Sequence, residues 1–261
     1  MVESPPTPRP SSGPSPAAAE RFGAALVEIE SELNWKLLGR AYCEDGGDDF
    51  FGEEQREAQR DAALRFAADV VERLSASPTG ASLYIGAGIA EIAPILAETL
   101  LVGRAVTVVS LDGPETRELN RALAAVEARL GVSLPRWSTQ PLVRLETIGF
   151  DHLWLVSVLT DPEAFPALHD MLYERGRPKR RALDIEAGMA LGLVDAALRR
   201  IKTPTLVHTT SEESGLLADA CHNAGMHVVL AREGRLSPIV GDVVRHGRIL
   251  LGAPKEAPKE A

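Results

Sequence analysis

The sequence predicts an α/β fold, namely a doubly wound three-layer sandwich around a mostly parallel sheet. From about residue 80 onward, short apolar segments alternate with longer segments of helical periodicity, which is the pattern of βαβ units. One strand-to-helix junction carries closely spaced glycines, as ligand-binding turns of such sheets do. Near the C-terminal end, the run VVRHGRILL alternates apolar and polar residues and predicts an antiparallel edge strand.

The 261 residues divide into four predicted regions. Residues 1–17 are rich in proline, serine and glycine and predict a disordered leader. Residues 18–76 predict an N-terminal helical extension, and residues 77–252 predict one doubly wound α/β domain. Residues 253–261 repeat charged residues and prolines and predict a disordered tail. One domain with an extension suits this length better than two full domains.

Apolar residues at spacings of three and four predict two helices in the extension. The first runs from Ala18 to about Leu38 and carries Phe22, Leu26, Ile29, Leu33 and Leu37. The second runs from Glu53 to Leu74 and carries Ala62, Phe66, Val70 and Leu74. These helices are expected to cover one end of the sheet or to form a lid over a ligand.

The same patterns give the order of elements in the domain. Strands are predicted at residues 82–85, 105–111, 142–147, 152–158, 205–209 and 227–231, with the terminal run at 237–251. Helices are predicted at residues 91–101, 115–130, 162–175, 183–201 and 213–224. The stretch 131–140 is predicted to be irregular.

Composition narrows the function classes. The net charge of −9 disfavours a nucleic-acid partner, although the basic segment 175–181 could hold an anionic substrate or RNA phosphates. Cys43, Cys221 and the six histidines show no metal-ligand spacing, so no metal site is predicted. No stretch resembles a signal peptide or approaches the roughly 18 apolar residues of a membrane span. A cytoplasmic protein without a membrane partner is therefore predicted.

The most informative segment is LYIGAGIAE, a strand that leads through Gly86, Ala87 and Gly88 into a helix. Glycines allow a tight turn and close approach of a ligand, and free amides at a helix N-terminus favour a polar group. Glu91 stands where a dinucleotide fingerprint needs glycine, and its carboxylate would repel a pyrophosphate. An NAD-dependent oxidoreductase is therefore ranked third, below the two functions that are described next. The segment resembles motif I of class I S-adenosylmethionine (SAM)-dependent methyltransferases, and the resemblance extends over roughly residues 60–251.

This resemblance implies a Rossmann-like methyltransferase-type domain that binds SAM, a small-molecule cofactor, and transfers its methyl group to an acceptor that the sequence does not identify. Gly86, Ala87 and Gly88 would form the cofactor turn. Two departures from the family pattern favour an alternative, a non-catalytic binding or scaffold protein with the same fold. Tyr84 replaces the acid that the family often has two positions before the first glycine, and Ser110 replaces the acid at the end of the second strand.

Asp112 is the predicted ribose contact, together with Ser110. Side chains alternate along a strand, so the two residues would face the same side if the strand continues to Asp112. Asp112 could instead begin the turn DGPE, because aspartate is favoured there by local hydrogen bonding.

The resemblance also places Ser157, Thr160 and Asp161 at the outer end of the fourth strand, beside the transferred methyl group. Asp161 is the candidate catalytic residue, because a carboxylate there could orient a nucleophile or take its proton. It could equally cap the helix predicted to start at Pro162. His208, at the end of a later strand, is the histidine best placed to face a cleft, with packing as the alternative.

Overall fold

The structure is a computed structural model that describes residues 13–43, 47–237, 239 and 241–252. Residues 1–12 of the predicted leader and all of the predicted tail lie outside these residues. The helices within the described chain are α1 (Pro16–Glu32), α2 (Trp35–Tyr42), α3 (Glu53–Leu74), α4 (Ile92–Leu96), α5 (Pro114–Leu130), α6 (Pro166–Leu172), α7 (Arg180–Leu198) and α8 (Ser214–Asn223). A π-helical segment, Ala97–Val102, continues α4. The leader prediction ends slightly late, because α1 begins at Pro16.

The strands form one sheet. They are β1 (Ala81–Ile85), β2 (Ala105–Val109), β3 (Trp137–Ser138), β4 (Phe150–Leu155), β5 (Ile201–Thr210), β6 (Met226–Leu230), β7 (Arg235–Leu236) and β8 (Val243–Leu251). Their order is β3-β2-β1-β4-β5-β8-β6, with β7 also paired to β8. Neighbouring strands pair in parallel along the series β3, β2, β1, β4 and β5, whereas β8 is antiparallel to β5 and β6. The predicted α/β class, the doubly wound sheet and the antiparallel C-terminal strand are confirmed.

The position of β8 differs from the prediction. It lies between β5 and β6, pairing with Thr205–Thr210 on one side and Met226–Leu230 on the other, so it is not an edge strand. The alternation of apolar and polar residues in β8 indicates only that one face of the strand is partly exposed to solvent. It carries no information about which strands lie beside it, because pairing is decided by backbone groups and register.

Three local predictions need correction. Helix 18–38 is two helices, because Asn34 caps α2 by accepting a hydrogen bond from the Leu37 amide at 3.1 Å. The weak strand at 142–147 is a 3-10 turn at its start, and β3 lies instead in the stretch 131–140 that was predicted to be irregular. Asn120 of α5 fixes β3 through both backbone groups of Trp137, at 2.8 and 2.9 Å. Such a tertiary anchor leaves no local sequence pattern.

Each face of the sheet buries its own apolar core because side chains alternate along every strand. One core contains Tyr84 and Trp154 and is covered by helices α1 to α5. The other contains Leu83 and Leu153 and is covered by helices α6 to α8. These two helical layers and the sheet make the predicted three-layer sandwich.

The N-terminal helices belong to the first of these layers. Their apolar stripes, including Ile29 and Phe66, are buried in the same core as Tyr84. Ion pairs join α1 to α5, where Arg129 contacts Glu28 and Glu32. The extension therefore covers one face of the sheet, and the last residue of α2, Tyr42, reaches the glycine turn.

Candidate functional site

The glycine turn begins directly after β1. Gly86 has a φ of +65°, and its amide donates to the Val109 carbonyl at 2.8 Å, which continues the pairing of β1 with β2. A methyl group on Gly86 would lie 2.7 Å from a methyl carbon of Val158. Both its backbone conformation and this close contact therefore require glycine. Gly86 is exposed to solvent, and Ser110, which directly follows β2, is half-buried.

Three backbone groups of the turn are satisfied by side chains of the protein. The Gly88 amide donates to Oε2 of Glu91 at 2.8 Å, and the Ile89 amide donates to Oε1 of Glu115 at 2.9 Å. The Ala87 carbonyl accepts a hydrogen bond from the Trp137 indole at 2.6 Å. Two carboxylates thus occupy the amides that the sequence analysis assigned to a ligand.

Gly88 is buried under two side chains from distant parts of the chain. The Tyr42 hydroxyl donates to Oε1 of Glu115 at 2.5 Å. A methyl group placed on Gly88 would lie 2.7 Å from that hydroxyl and 2.7 Å from that carboxylate oxygen. The space directly above Gly88 is therefore filled by Tyr42 and Glu115, and only the Gly86 side of the turn faces solvent.

Burial shifts the titration of all three groups at this turn. Burial raises the pKa of Glu91 to about 7, and the nearby Glu115 carboxylate adds to the rise. Burial likewise raises the pKa of Glu115, with further repulsion from Asp161. The pKa of Tyr42 lies well above its usual range because of burial and the adjacent Glu115. Negative charge at this turn is therefore costly unless a positive group approaches it.

Ser110 and Asp112 are not held by one continuous strand. The strand β2 ends at Val109, and the chain bends at Asp112 before α5. The Ser110 amide donates to the Ser138 carbonyl at 2.9 Å. Asp112 is exposed and pairs with Arg117 at 2.7 Å. The alternation that would place the two side chains on one side does not reach Asp112, and its ribose contact stays a prediction.

Tyr84 points away from the glycine turn, into a polar network buried beneath the sheet. Its hydroxyl donates to Oε1 of Glu98 at 2.5 Å, and Nδ1 of His152 lies 2.8 Å from the same oxygen. Nε2 of His152 lies 3.0 Å from Nδ1 of His208, and Nε2 of His208 lies 3.1 Å from Asp69. The packing alternative for His208 is thus correct, and this histidine faces no cleft.

Arg104 closes the other end of this network. Its guanidinium lies 3.2 Å from Glu98 and also contacts Asp151. Burial disfavours the ionised form of Glu98. His152 and hydroxyl donors favour that form, and the pKa of the Glu98 carboxyl is lowered. Burial lowers the pKa of His208 to about 4. These residues come from five segments, so no sequence motif could have grouped them.

At the end of β4, Asp161 caps a turn. Its Oδ1 accepts hydrogen bonds from the amides of Glu163 and Ala164 at 2.8 and 2.9 Å. The helix that follows begins at Pro166 rather than at Pro162. Asp161 thus caps a turn and not a helix at Pro162, and a catalytic role for Asp161 stays a prediction.

Ser157 is held by two acidic residues that the sequence analysis missed. Ser157 has a φ of +55°, and its amide donates to Oε2 of Glu213 at 2.9 Å. Its hydroxyl donates to Asp242 at 3.0 Å. Burial raises the pKa of Glu213 to about 7, although the Leu159 amide opposes the rise by donating to this carboxylate at 2.6 Å. A non-glycine residue with positive φ is strained, and these contacts hold it in place.

Within the described residues, no group of three or more histidine, cysteine, aspartate or glutamate side chains has the arrangement of a metal site. None of the described helices is both long and apolar enough to span a membrane.

Comparison with solved structures identifies the fold. No protein-family model matches the chain, and no curated protein matches it. Among solved structures, the chain is similar to magnesium protoporphyrin IX methyltransferase (ChlM) from Synechocystis PCC 6803, solved with bound SAM. The TM-score is 0.51 at 14% identity, over 88% of this chain and 97% of that chain. The chain has a class I methyltransferase-like fold.

Two further matches extend over less of the other protein. TYW2 from Pyrococcus horikoshii, solved in complex with MeSAdo, matches with a TM-score of 0.45 and 14% identity over 74% of this chain and 63% of that chain. The chain spans 64% of the length of PH0793 from the same organism, with a TM-score of 0.45 and 13% identity.

Proposed function

We propose that this protein binds SAM at the carboxyl ends of β1 and β2 and transfers its methyl group to an acceptor. The observation that carries the proposal is the strand order with Gly86 turning at positive φ after β1. Ligands of doubly wound sheets bind outside the carboxyl ends of the strands near the point where the order reverses, which here lies between β1 and β4, beside the Gly86 turn. The similarity to ChlM, which was solved with bound SAM, over 88% of this chain supports SAM as the ligand.

In this proposal the chain supplies positioning. Gly86, Ala87 and Gly88 provide a backbone surface for the methionine part of the cofactor, and Ser110 and Asp112 accept hydrogen bonds from the ribose. When bound, SAM supplies the methyl group as a sulfonium electrophile. Alignment of acceptor, methyl carbon and sulfur can provide much of the rate.

Asp161 lies in the turn that follows β4 and is proposed to orient the acceptor there. One of its carboxylate oxygens, Oδ1, is engaged by two backbone amides.

The fit of the turn to this ligand is partial. Gly86 is open to solvent, whereas the space above Gly88 is filled by Tyr42 and Glu115. This filling favours a second candidate function, a non-catalytic binding or scaffold protein that keeps the fold. The two candidates differ in whether an adenosyl ligand binds at all.

Calorimetric titration with S-adenosylhomocysteine tests the proposal. We expect the wild type to bind, and we expect Asp112→Asn to weaken binding about tenfold, the usual value of one hydrogen bond to a charged group. Asp195→Asn is the matched control, because Asp195 is also exposed and paired with an arginine, at 2.6 Å on α7. No binding at about 1 mM ligand, by either the wild type or a variant lacking the Tyr42 hydroxyl, would leave only the scaffold function.

A further inference from the structure

Tyr42 and Glu115 meet above Gly88 although they lie 73 positions apart in sequence. Tyr42 is the last residue of α2, and Glu115 lies in the first turn of α5. Each places an oxygen 2.7 Å from the point where a Gly88 side chain would begin. In a turn whose glycine leaves room for a ligand, these two groups take up that room.

Glu115 occupies the turn as an anionic ligand would. Its carboxylate accepts the Ile89 amide at 2.9 Å, at the start of the helical segment that follows the glycines. Amides at such a position are suited to bind a negatively charged group. The chain thus satisfies its own binding turn with an internal carboxylate, and the Tyr42 hydroxyl holds that carboxylate in place.

Tyr42 packs at the margin of the core that contains Tyr84, and Phe51 is a buried member of that core. The Tyr42 ring stacks on Phe50 with centroids 6.1 Å apart and meets Phe51 edge-on at 5.3 Å. Both phenylalanines follow α2 in the N-terminal extension, and neither belongs to a strand. The backbone at the start of α2 is tied to α5 by the Asn34 amide, which donates to Glu118 at 2.6 Å. Opening of the Tyr42–Glu115 contact at the end of α2 therefore breaks no strand pairing.

We propose that the Tyr42–Glu115 pair is an autoinhibitory strap over the glycine turn, and that it must open before an adenosyl ligand can bind there. The proposal rests on the proposed function for the identity of the ligand. Closure itself rests only on the contacts among Tyr42, Glu115 and the turn. Ligand binding then competes with the Tyr42–Glu115 hydrogen bond, so weakening that bond strengthens binding.

The first test compares the affinity of S-adenosylhomocysteine for the full-length wild type and Tyr42→Phe. Phenylalanine keeps the ring that packs on Phe50 and Phe51 and removes the hydroxyl. We expect binding about tenfold tighter, since a hydrogen bond to a charged group closes the strap. Tyr84→Phe is the matched control, because it also removes a 2.5 Å bond from a tyrosine to a buried glutamate, in the network away from the turn. Equal affinities for the wild type and Tyr42→Phe would overturn the strap and leave the proposed function intact.

The second test needs no ligand. Amide hydrogen exchange at Gly88 and Ile89 should be about tenfold faster in Tyr42→Phe than in the wild type, because the strap opens more often. Exchange there should be unchanged in Tyr84→Phe. If neither the wild type nor Tyr42→Phe binds S-adenosylhomocysteine, the proposed function fails and this measurement alone decides the strap. Unchanged exchange would then overturn it, and faster exchange would uphold the closure of the turn by the Tyr42–Glu115 pair.

Discussion

At the scale of single residues, Gly88 is constrained by side chains rather than by its own backbone. Its φ of −119° is open to any residue, whereas Gly86, at +65°, is not. The sequence predicted both glycines as parts of one ligand turn. In the structure the two positions require glycine for different reasons. Gly86 is needed for the conformation of the turn, and Gly88 makes room for Tyr42 and Glu115.

Gly88→Ala tests this reading. The added methyl group would lie 2.7 Å from the Tyr42 hydroxyl and from Glu115, so we expect a loss of about 1–3 kcal/mol in the free energy of unfolding, typical of overpacking. Urea titration measures it. The loss should shrink in the Tyr42→Phe background, where one obstacle is absent. Gly188→Ala is the control, because a methyl group there meets nothing within 4 Å and alanine favours a helix. An additive double mutant would contradict the contact.

At the scale of elements, the buried network joins α3, β1, the π-helical segment, β4 and β5. Asp69 contributes from α3, and Glu98 from the π-helical segment. His152 and His208 lie on the neighbouring strands β4 and β5 with an offset of two residues, because His208 is paired with Trp154. Such groups are tolerated in a core only when each has partners. The network therefore ties the N-terminal extension to the sheet by polar contacts as well as by apolar packing.

Arg104→Met should show how strongly these elements depend on the network. Arg104 is buried between Glu98 and Asp151, so its removal takes a positive partner from both carboxylates, and we expect a loss of about 3–5 kcal/mol. Arg199→Met is the control, because Arg199 forms an exposed pair with Asp195 that should contribute at most about 1 kcal/mol. Chemical denaturation of the two variants measures the difference. Equal losses would show that the buried pair is energetically unimportant.

At the scale of the whole molecule, buried groups whose pKa values are shifted in opposite directions set the dependence of stability on pH. Glu91 and Glu213 have pKa values raised to about 7 by burial, so the folded state binds more protons than the unfolded state between about pH 4.5 and 7. Stability falls across that window as pH rises. His208 acts in the opposite sense, because its pKa is lowered to about 4 and stability rises between about pH 4 and 6.5.

Glu91→Gln isolates one of these contributions. Glutamine can still accept the Gly88 amide but cannot ionise. Relative to the wild type, the variant should gain up to about 3 kcal/mol between pH 4 and pH 8, because the cost of burying the ionised carboxyl is removed. Glu118→Gln should change in the opposite sense, since Arg121 lowers the pKa of Glu118. Urea titrations at the two pH values measure both variants. A pH-independent difference for Glu91→Gln would contradict the assignment.

The sequence by itself determined the fold class, the glycine turn and most helices, because helical and strand periodicities are local properties of a segment. Only the tertiary structure decided that β8 lies between β5 and β6 and that Trp137 forms a strand. It also decided what covers the candidate site. Tyr42, Gly88 and Glu115 each belong to an ordinary local pattern, and their meeting depends on how α2 and α5 pack against the end of β1. Packing of distant segments leaves no periodic signal, so a motif read from residues 83–91 could indicate a ligand turn but not the strap that closes it.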